Sequence, residues 1–165
     1  AAFGGRDEIM DMLPSKVSHG GTYAGNRVAA AAASKVLEIL RDTDALATIH
    51  ATGQRIQAGL RQLLDAKGLA YNITGHPSMF GIMFTESVAS EYRDWANTDH
   101  ELYDAIAVGM HARGAMPEPD SREPWFISEA HAQGDTVDKV VTIFGQSLDA
   151  ALEARARGEL SSAAH

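Results

Sequence analysis

The sequence predicts an α+β fold: two long helices, then two strands, a helix, a third strand and a closing helix. Three observations carry this expectation. Apolar residues recur every three or four positions over Leu46–Leu63 and Val137–Leu152. Short apolar runs flanked by glycine and proline stand between those helices at Leu69–Thr74 and Ser78–Phe84. A further short run, Trp125-Phe126-Ile127, precedes the closing helix. A mixture of strands and helices without a strict βαβ alternation reads as α+β.

In chain order, Ala1–Phe3 reads as the end of a buried strand closed by Gly4-Gly5, and Arg6–Leu13 as one or two helical turns ended by Pro14. Ser15–Asn26 carries Gly20, Gly21 and Gly25 and reads as a loop. From Arg27 a helix begins whose alanine run Ala29–Ala33, with Val28, Val36, Leu37, Ile39 and Leu40, is small and apolar on nearly all sides until Glu38 and Arg41. Such a helix is expected to be buried in a close crossing. The amphipathic helix Asp44–Lys67 follows, terminated by Gly68, and a break in packing is expected within it. The run Met79–Phe84 is apolar on both faces and is expected to be a central strand, joined to its predecessor by Gly75-His76-Pro77. Thr98-x-x-Glu101 matches a capping box for a helix closed by Arg113-Gly114. Met116–Glu123 is an acidic, proline-containing loop, the last helix starts at Asp135 or Thr136, and Ser161–His165 is expected to fray.

Composition limits the chemistry. The 165 residues are 45% hydrophobic and 22% charged, enough for a core without cross-links. The absence of cysteine excludes a disulfide framework, a thiolate zinc site and a cysteine nucleophile. A net charge of −8 argues against a nucleic-acid partner, and no apolar run approaches the roughly 18 residues of a membrane helix. The histidines at 19, 50, 76, 100, 111, 131 and 165 contain no His-x-x-x-His pair, so no metal site is expected. His131 is expected to end a strand and make a structural hydrogen bond. No Gly-x-Ser-x-Gly elbow is present. Arg122 is a candidate for a substrate carboxylate, although a surface ion pair is the commoner fate of such a residue. None of Lys16, Lys35, Lys67 and Lys139 has the apolar or cationic setting that a Schiff-base lysine requires.

The informative segment is His19-Gly20-Gly21-Thr22-Tyr23-Ala24-Gly25-Asn26, directly ahead of a helix. Glycines let backbone amides approach an anion, and a helix start favours negative charge. The same residues also read as a plain turn with Asn26 as helix N-cap.

Taken together, Ala2-Phe3-Gly4-Gly5-Arg6-Asp7-Glu8-Ile9-Met10, the His19–Asn26 run and its alanine-rich helix, Arg113-Gly114-Ala115-Met116-Pro117 and Trp125–His131 resemble the pyridoxal-phosphate-dependent class III aminotransferases, in particular the glutamate-1-semialdehyde aminomutase branch. The resemblance covers essentially the whole chain. It implies the C-terminal part of a fold-type-I, α/β transferase. Residues 1–50 would be the end of the large cofactor-binding domain and an interdomain helix, and 51–165 the small domain of antiparallel sheet covered by helices. The opening at Ala1, in mid-strand and without methionine, agrees with that expectation.

The resemblance further implies pyridoxal 5'-phosphate as cofactor, a cytoplasmic homodimer formed through the large domain, and a small-molecule amino substrate. The Schiff-base lysine, the aspartate facing the pyridine nitrogen and the ring covering the cofactor would fall upstream of Ala1, in the missing N-terminal portion of the same enzyme. This chain alone would then be inactive. One cofactor contact carries over: Thr22, with Gly21 beside it, would reach the cofactor phosphate of the neighbouring subunit. His19 and Tyr23 would flank the substrate. Two departures stand out: Arg27 where the family usually has proline after Gly-Asn, and Trp125 and Phe126 where many members carry a carboxylate-binding arginine. A non-catalytic binding or dimerisation module built on the same fold is the alternative.

Overall fold

The computed structural model describes residues 3–13 and 15–160. They form two compact units that change over between Thr43 and Asp44. The expected features at Ala1, Ala2, Pro14 and Ser161–His165 lie outside the described residues.

The first unit holds α1 (Asp7–Met10) and α2 (Arg27–Asp42), separated by the glycine-bearing loop. Phe3 is not part of a strand and is 63% exposed, which corrects the expectation of a buried strand there; its ring packs edge-on against His19, 5.2 Å between centroids. Helix α2 begins where the sequence places it, because the Asn26 side chain accepts a hydrogen bond from the Ala29 amide at 2.9 Å and so satisfies one of the free first-turn donors. The expected burial of α2 is not observed: it has no buried residue, and Val28, Val36 and Leu37 are all more than half exposed. Small apolar side chains determine how closely a partner could approach this helix, but do not supply one.

The second unit holds α3 (Ala45–Ala66), β1 (Asn72–His76), β2 (Met79–Met83), α4 (His100–Ala112), β3 (Trp125–Phe126) and α5 (Thr136–Ala156). The three strands form an antiparallel sheet in the order β1-β2-β3, with Ile73 opposite Ile82 and Phe80 opposite Trp125. The apolar strand is therefore the central one, as expected. The turn between β1 and β2 is tighter than Gly75-His76-Pro77, since Gly75 and His76 are both paired in β1. Helix α3 ends at Gly68, whose φ of +64 places it in the left-handed region that glycine tolerates.

Side chains from every layer meet in one core. Ile56, Leu60 and Leu64 of α3, Phe80 and Ile82 of β2, Leu102, Ile106 and Met110 of α4, Trp125 of β3, and Phe144 and Leu148 of α5 are all under a tenth exposed. The buried face of α3 includes Leu64, while Leu63, on the expected apolar stripe, is only half-buried. Buried hydroxyls are satisfied locally: Thr52 donates to the Thr48 carbonyl and Ser147 to that of Ile143.

The start of α4 differs from expectation. Asp99, not Thr98, is the N-cap, and its carboxylate accepts from the Leu102 amide at 3.1 Å. The same carboxylate is 2.6 Å from the Arg155 guanidinium of α5, so one charged group both caps α4 and pairs with the neighbouring helix. Thr98 instead donates to the Trp95 carbonyl, closing a short 3-10 helix at Tyr92–Asn97. That turn carries the capping box, between Glu91 and Asp94. Likewise His131 lies on a 3-10 turn, Glu129–Ala132, and not at a strand end; its Nδ1 accepts from the Ser128 amide at 2.9 Å.

Candidate functional site

The four residues proposed from sequence to meet cofactor or substrate sit together in the exposed loop ahead of α2. The loop is a pair of overlapping turns: the Ala24 amide donates to the Gly21 carbonyl at 3.0 Å and the Asn26 amide to that of Tyr23 at 3.1 Å. Gly25, at φ +72, makes the reversal that feeds Asn26 into its capping position. The Thr22 hydroxyl makes no hydrogen bond to a described residue, and a Cβ at Gly20 or Gly21 would meet nothing within 4 Å. Tyr23 is 81% exposed, and His19 makes the ring contact with Phe3. Turn and anion-site readings are thus compatible. Asn26 caps the helix while an unengaged hydroxyl and open backbone stand just before it.

The open backbone and the Thr22 hydroxyl are chemically compatible with the phosphate end of pyridoxal phosphate, an anion that accepts from amide and hydroxyl donors. Nothing described fits its aldehyde end. Lys35 is paired with Glu38 at 3.1 Å, Lys67 with Asp149 at 2.5 Å and Lys139 with Asp135 at 2.8 Å, all at the surface, and Lys16 is exposed. None of the four has the desolvated or cationic setting that activates a Schiff-base lysine. Among the described residues no group of three His, Asp or Glu is placed to hold a metal ion.

A second polar constellation, in the second unit, could not be read from the sequence. Arg122 pairs with Asp120, its Nε lying 2.9 Å from both carboxylate oxygens; a further nitrogen donates to the Tyr92 hydroxyl at 3.2 Å. Its guanidinium stacks over Trp95 at 4.7 Å, and Trp95 in turn stacks on His100 and donates to the Ser121 hydroxyl. Asp120 and Tyr92 together raise the affinity of this guanidinium for its proton. Arg122 is therefore ion-paired, the commoner fate of such a residue, with Asp120 as its partner. No signal of helical or strand period connects Tyr92 and Trp95 to Arg122, about thirty residues later; only the 3-10 turn brings them together.

Behind β3, Tyr103 (3% exposed) donates to the Glu118 carbonyl at 2.7 Å and accepts from Trp125 Nε1 at 2.8 Å. This relay fixes the acidic loop to the core. Burial pushes the phenol up to about 12, partly opposed by the Trp125 donor.

Comparison with known proteins settles the class. The sequence profile of the class III aminotransferases matches residues 1–144, and the chain belongs to that family. The curated relatives it resembles include glutamate-1-semialdehyde 2,1-aminomutases from Thermus thermophilus (34% identity over 151 residues, 90% of this chain and 35% of that protein), Methanosarcina acetivorans (34%, with 88% and 34% covered) and Neisseria meningitidis (32%, with 87% and 34% covered). The chain spans about a third of the length of these relatives. Among solved structures, the internal aldimine form of the FumI protein of Sphingopyxis sp. MTA144, which holds pyridoxal phosphate, superposes with a TM-score of 0.72 at 26% identity, over 92% of this chain and 33% of that one. An omega-transaminase from Sphaerobacter thermophilus superposes at 0.71 and 24% identity, over 90% and 35%, and shares the fold. The predicted architecture, helices with a small antiparallel sheet from the C-terminal portion of a pyridoxal-phosphate transferase, is the one observed.

Proposed function

We propose that this chain is the C-terminal portion of a pyridoxal-phosphate-dependent aminotransferase or aminomutase acting on a small amino compound. In this reading residues 1–50 complete the large domain and 51–165 form the small domain. The observation that carries the reading is the unengaged Thr22 hydroxyl in an open glycine loop ahead of a capped helix, within a chain of this family. Bound pyridoxal phosphate would supply an electron sink for a substrate amine. The work of this chain is electrostatic and positional. Thr22 donates to a phosphate oxygen of the cofactor in the neighbouring subunit of a homodimer, and the Gly21 backbone lets that oxygen approach. His19 and Tyr23 border the substrate. In this reading the cofactor-linking lysine lies upstream of Ala1 and the chain alone is inactive, which the surface ion pairs of Lys35, Lys67 and Lys139 support. We place the enzyme in the cytoplasm.

The test is Thr22→Val in the enzyme that carries this chain together with its cofactor-linking portion. A hydrogen bond to a charged group contributes about 1.5–3 kcal/mol, so cofactor affinity measured by equilibrium dialysis should fall by about tenfold or more. Unchanged affinity in an intact dimer would overturn the assignment. The exposed Val28, Val36 and Leu37 of α2 favour a second reading, a non-catalytic association module. It predicts a stable dimer of the chain alone, and no loss of any property in Thr22→Val.

A further inference from the structure

The second unit contains a cavity of about 580 Å³ between the C-terminal end of α4, β3 and the first turns of α5. Small-molecule sites occupy about 300–1,000 Å³. Its floor reaches the core at Ile56, Met110 and Trp125, which are 2%, 1% and 7% exposed. Its lining also includes Arg113, His131 and Lys139, three nitrogen donors from three different elements.

The states of these donors differ. Arg113 donates one N–H to the Gly109 carbonyl at 2.8 Å and forms no ion pair among the described residues, which leaves most of its planar fork uncommitted. His131 accepts the Ser128 amide on Nδ1, so the neutral ring carries its proton on Nε2 and is a donor there. Lys139 is shared with Asp135 at 2.8 Å. Glu118 is the carboxylate on the same lining, and its main-chain carbonyl is held by Tyr103. With Asp135 holding Lys139 and Glu118 on the lining, Arg113 is the cation whose hydrogen-bonding fork is left for a ligand, in a chain whose net charge is −8.

We propose that this cavity binds a small amphiphilic carboxylate, its acid group on Arg113 with support from His131 and its apolar body against Trp125, Ile56 and Met110. A guanidinium fork matches a carboxylate in two parallel hydrogen bonds, and the apolar floor gains from each methylene it covers. The site lies wholly within the second unit and is independent of the reading of Thr22.

Isothermal titration of the 165-residue chain with octanoate, and separately with octan-1-ol, tests the proposal. One saturable octanoate site per chain is expected, with octan-1-ol bound at least tenfold more weakly. Arg113→Gln should weaken octanoate at least tenfold and leave octan-1-ol unchanged, while Arg113→Lys should recover part of the loss. Ile143→Trp, which fills the cavity, should abolish binding of both. Circular dichroism identifies any variant that has not folded, and Arg113→Lys carries the comparison should Arg113→Gln be such a variant. Absence of saturable octanoate binding, equal affinity for the alcohol, or an Arg113→Gln chain that is folded and binds octanoate normally would each overturn the proposal.

Discussion

Replacing Gly53 by alanine adds one methyl group to the middle of α3, where propensity and packing predict opposite outcomes. Alanine in place of a helical glycine is worth about 0.5–1 kcal/mol, because less backbone entropy is lost on folding. The new Cβ would stand 1.9 Å from the carbonyl oxygen of Pro77 and 2.6 Å from its carbon, in the turn between β1 and β2. That neighbour is backbone and cannot rotate away, so either α3 or the hairpin must shift. Overpacking of this kind costs about 1–3 kcal/mol, occasionally more, and the upper end applies to a contact this short. A net loss of about 2 kcal/mol follows.

Two other helical glycines provide internal controls. At Gly145 the new Cβ would sit 3.3 and 3.4 Å from the mobile methyls of Leu63, so Gly145→Ala should be neutral or stabilising by up to about 1 kcal/mol. At Gly59 it would lie 2.6 and 2.9 Å from the methyls of the stiff, branched Val141, which predicts an intermediate loss. Urea unfolding followed by tryptophan emission reads this unit directly, since Trp95 and Trp125 both belong to it. With a slope of about 2 kcal/mol per molar urea, the Gly53→Ala midpoint should fall by about 1 M at unchanged slope. A midpoint at or above that of the parent, or a Gly145→Ala chain less stable than Gly53→Ala, would refute the reasoning.

Two further predictions concern buried and bridging polar groups. Because burial raises the Tyr103 phenol from about 10 to about 12, the folded chain keeps a proton there that the unfolded chain releases above pH 10. The stability this confers is complete below pH 10 and is lost as pH rises towards 12, an amount of about 2–3 kcal/mol. Urea midpoints at pH ~9 and pH ~11.5 should therefore converge between parent and Tyr103→Phe as pH rises, the variant being less stable by about 1–3 kcal/mol at neutral pH for the stranded Trp125 N–H; a constant gap would count against it. Asp99→Ala should cost about 1 kcal/mol or more for the lost cap of α4, whereas Asp99→Asn, which keeps the acceptor and loses only the half-exposed pair with Arg155, should cost a few tenths. Equal losses in the two variants would show that the ion pair, and not the cap, dominates.

Periodicity and punctuation in the sequence determine much of this protein. The starts of α2 and α5, the end of α3 at Gly68, the central position of Met79–Met83 and the adjacency of Gly21 and Thr22 are local properties of the chain, set by caps, glycine conformation and the pattern of apolar residues. The tertiary structure decided what depends on which distant groups meet. Asp99 rather than Thr98 caps α4, where its carboxylate also faces Arg155, fifty-six residues away. Arg122 lies over Trp95 because a 3-10 turn, which has no apolar period to announce it, carries Tyr92 and Trp95 there. The exposure of α2 and the donors lining the cavity beside Trp125 belong to the same class. Local preferences are energies of neighbours in sequence and can be read one window at a time. A cavity, an ion pair across helices or the burial of a helix face is a property of the packed chain, and no single window contains it.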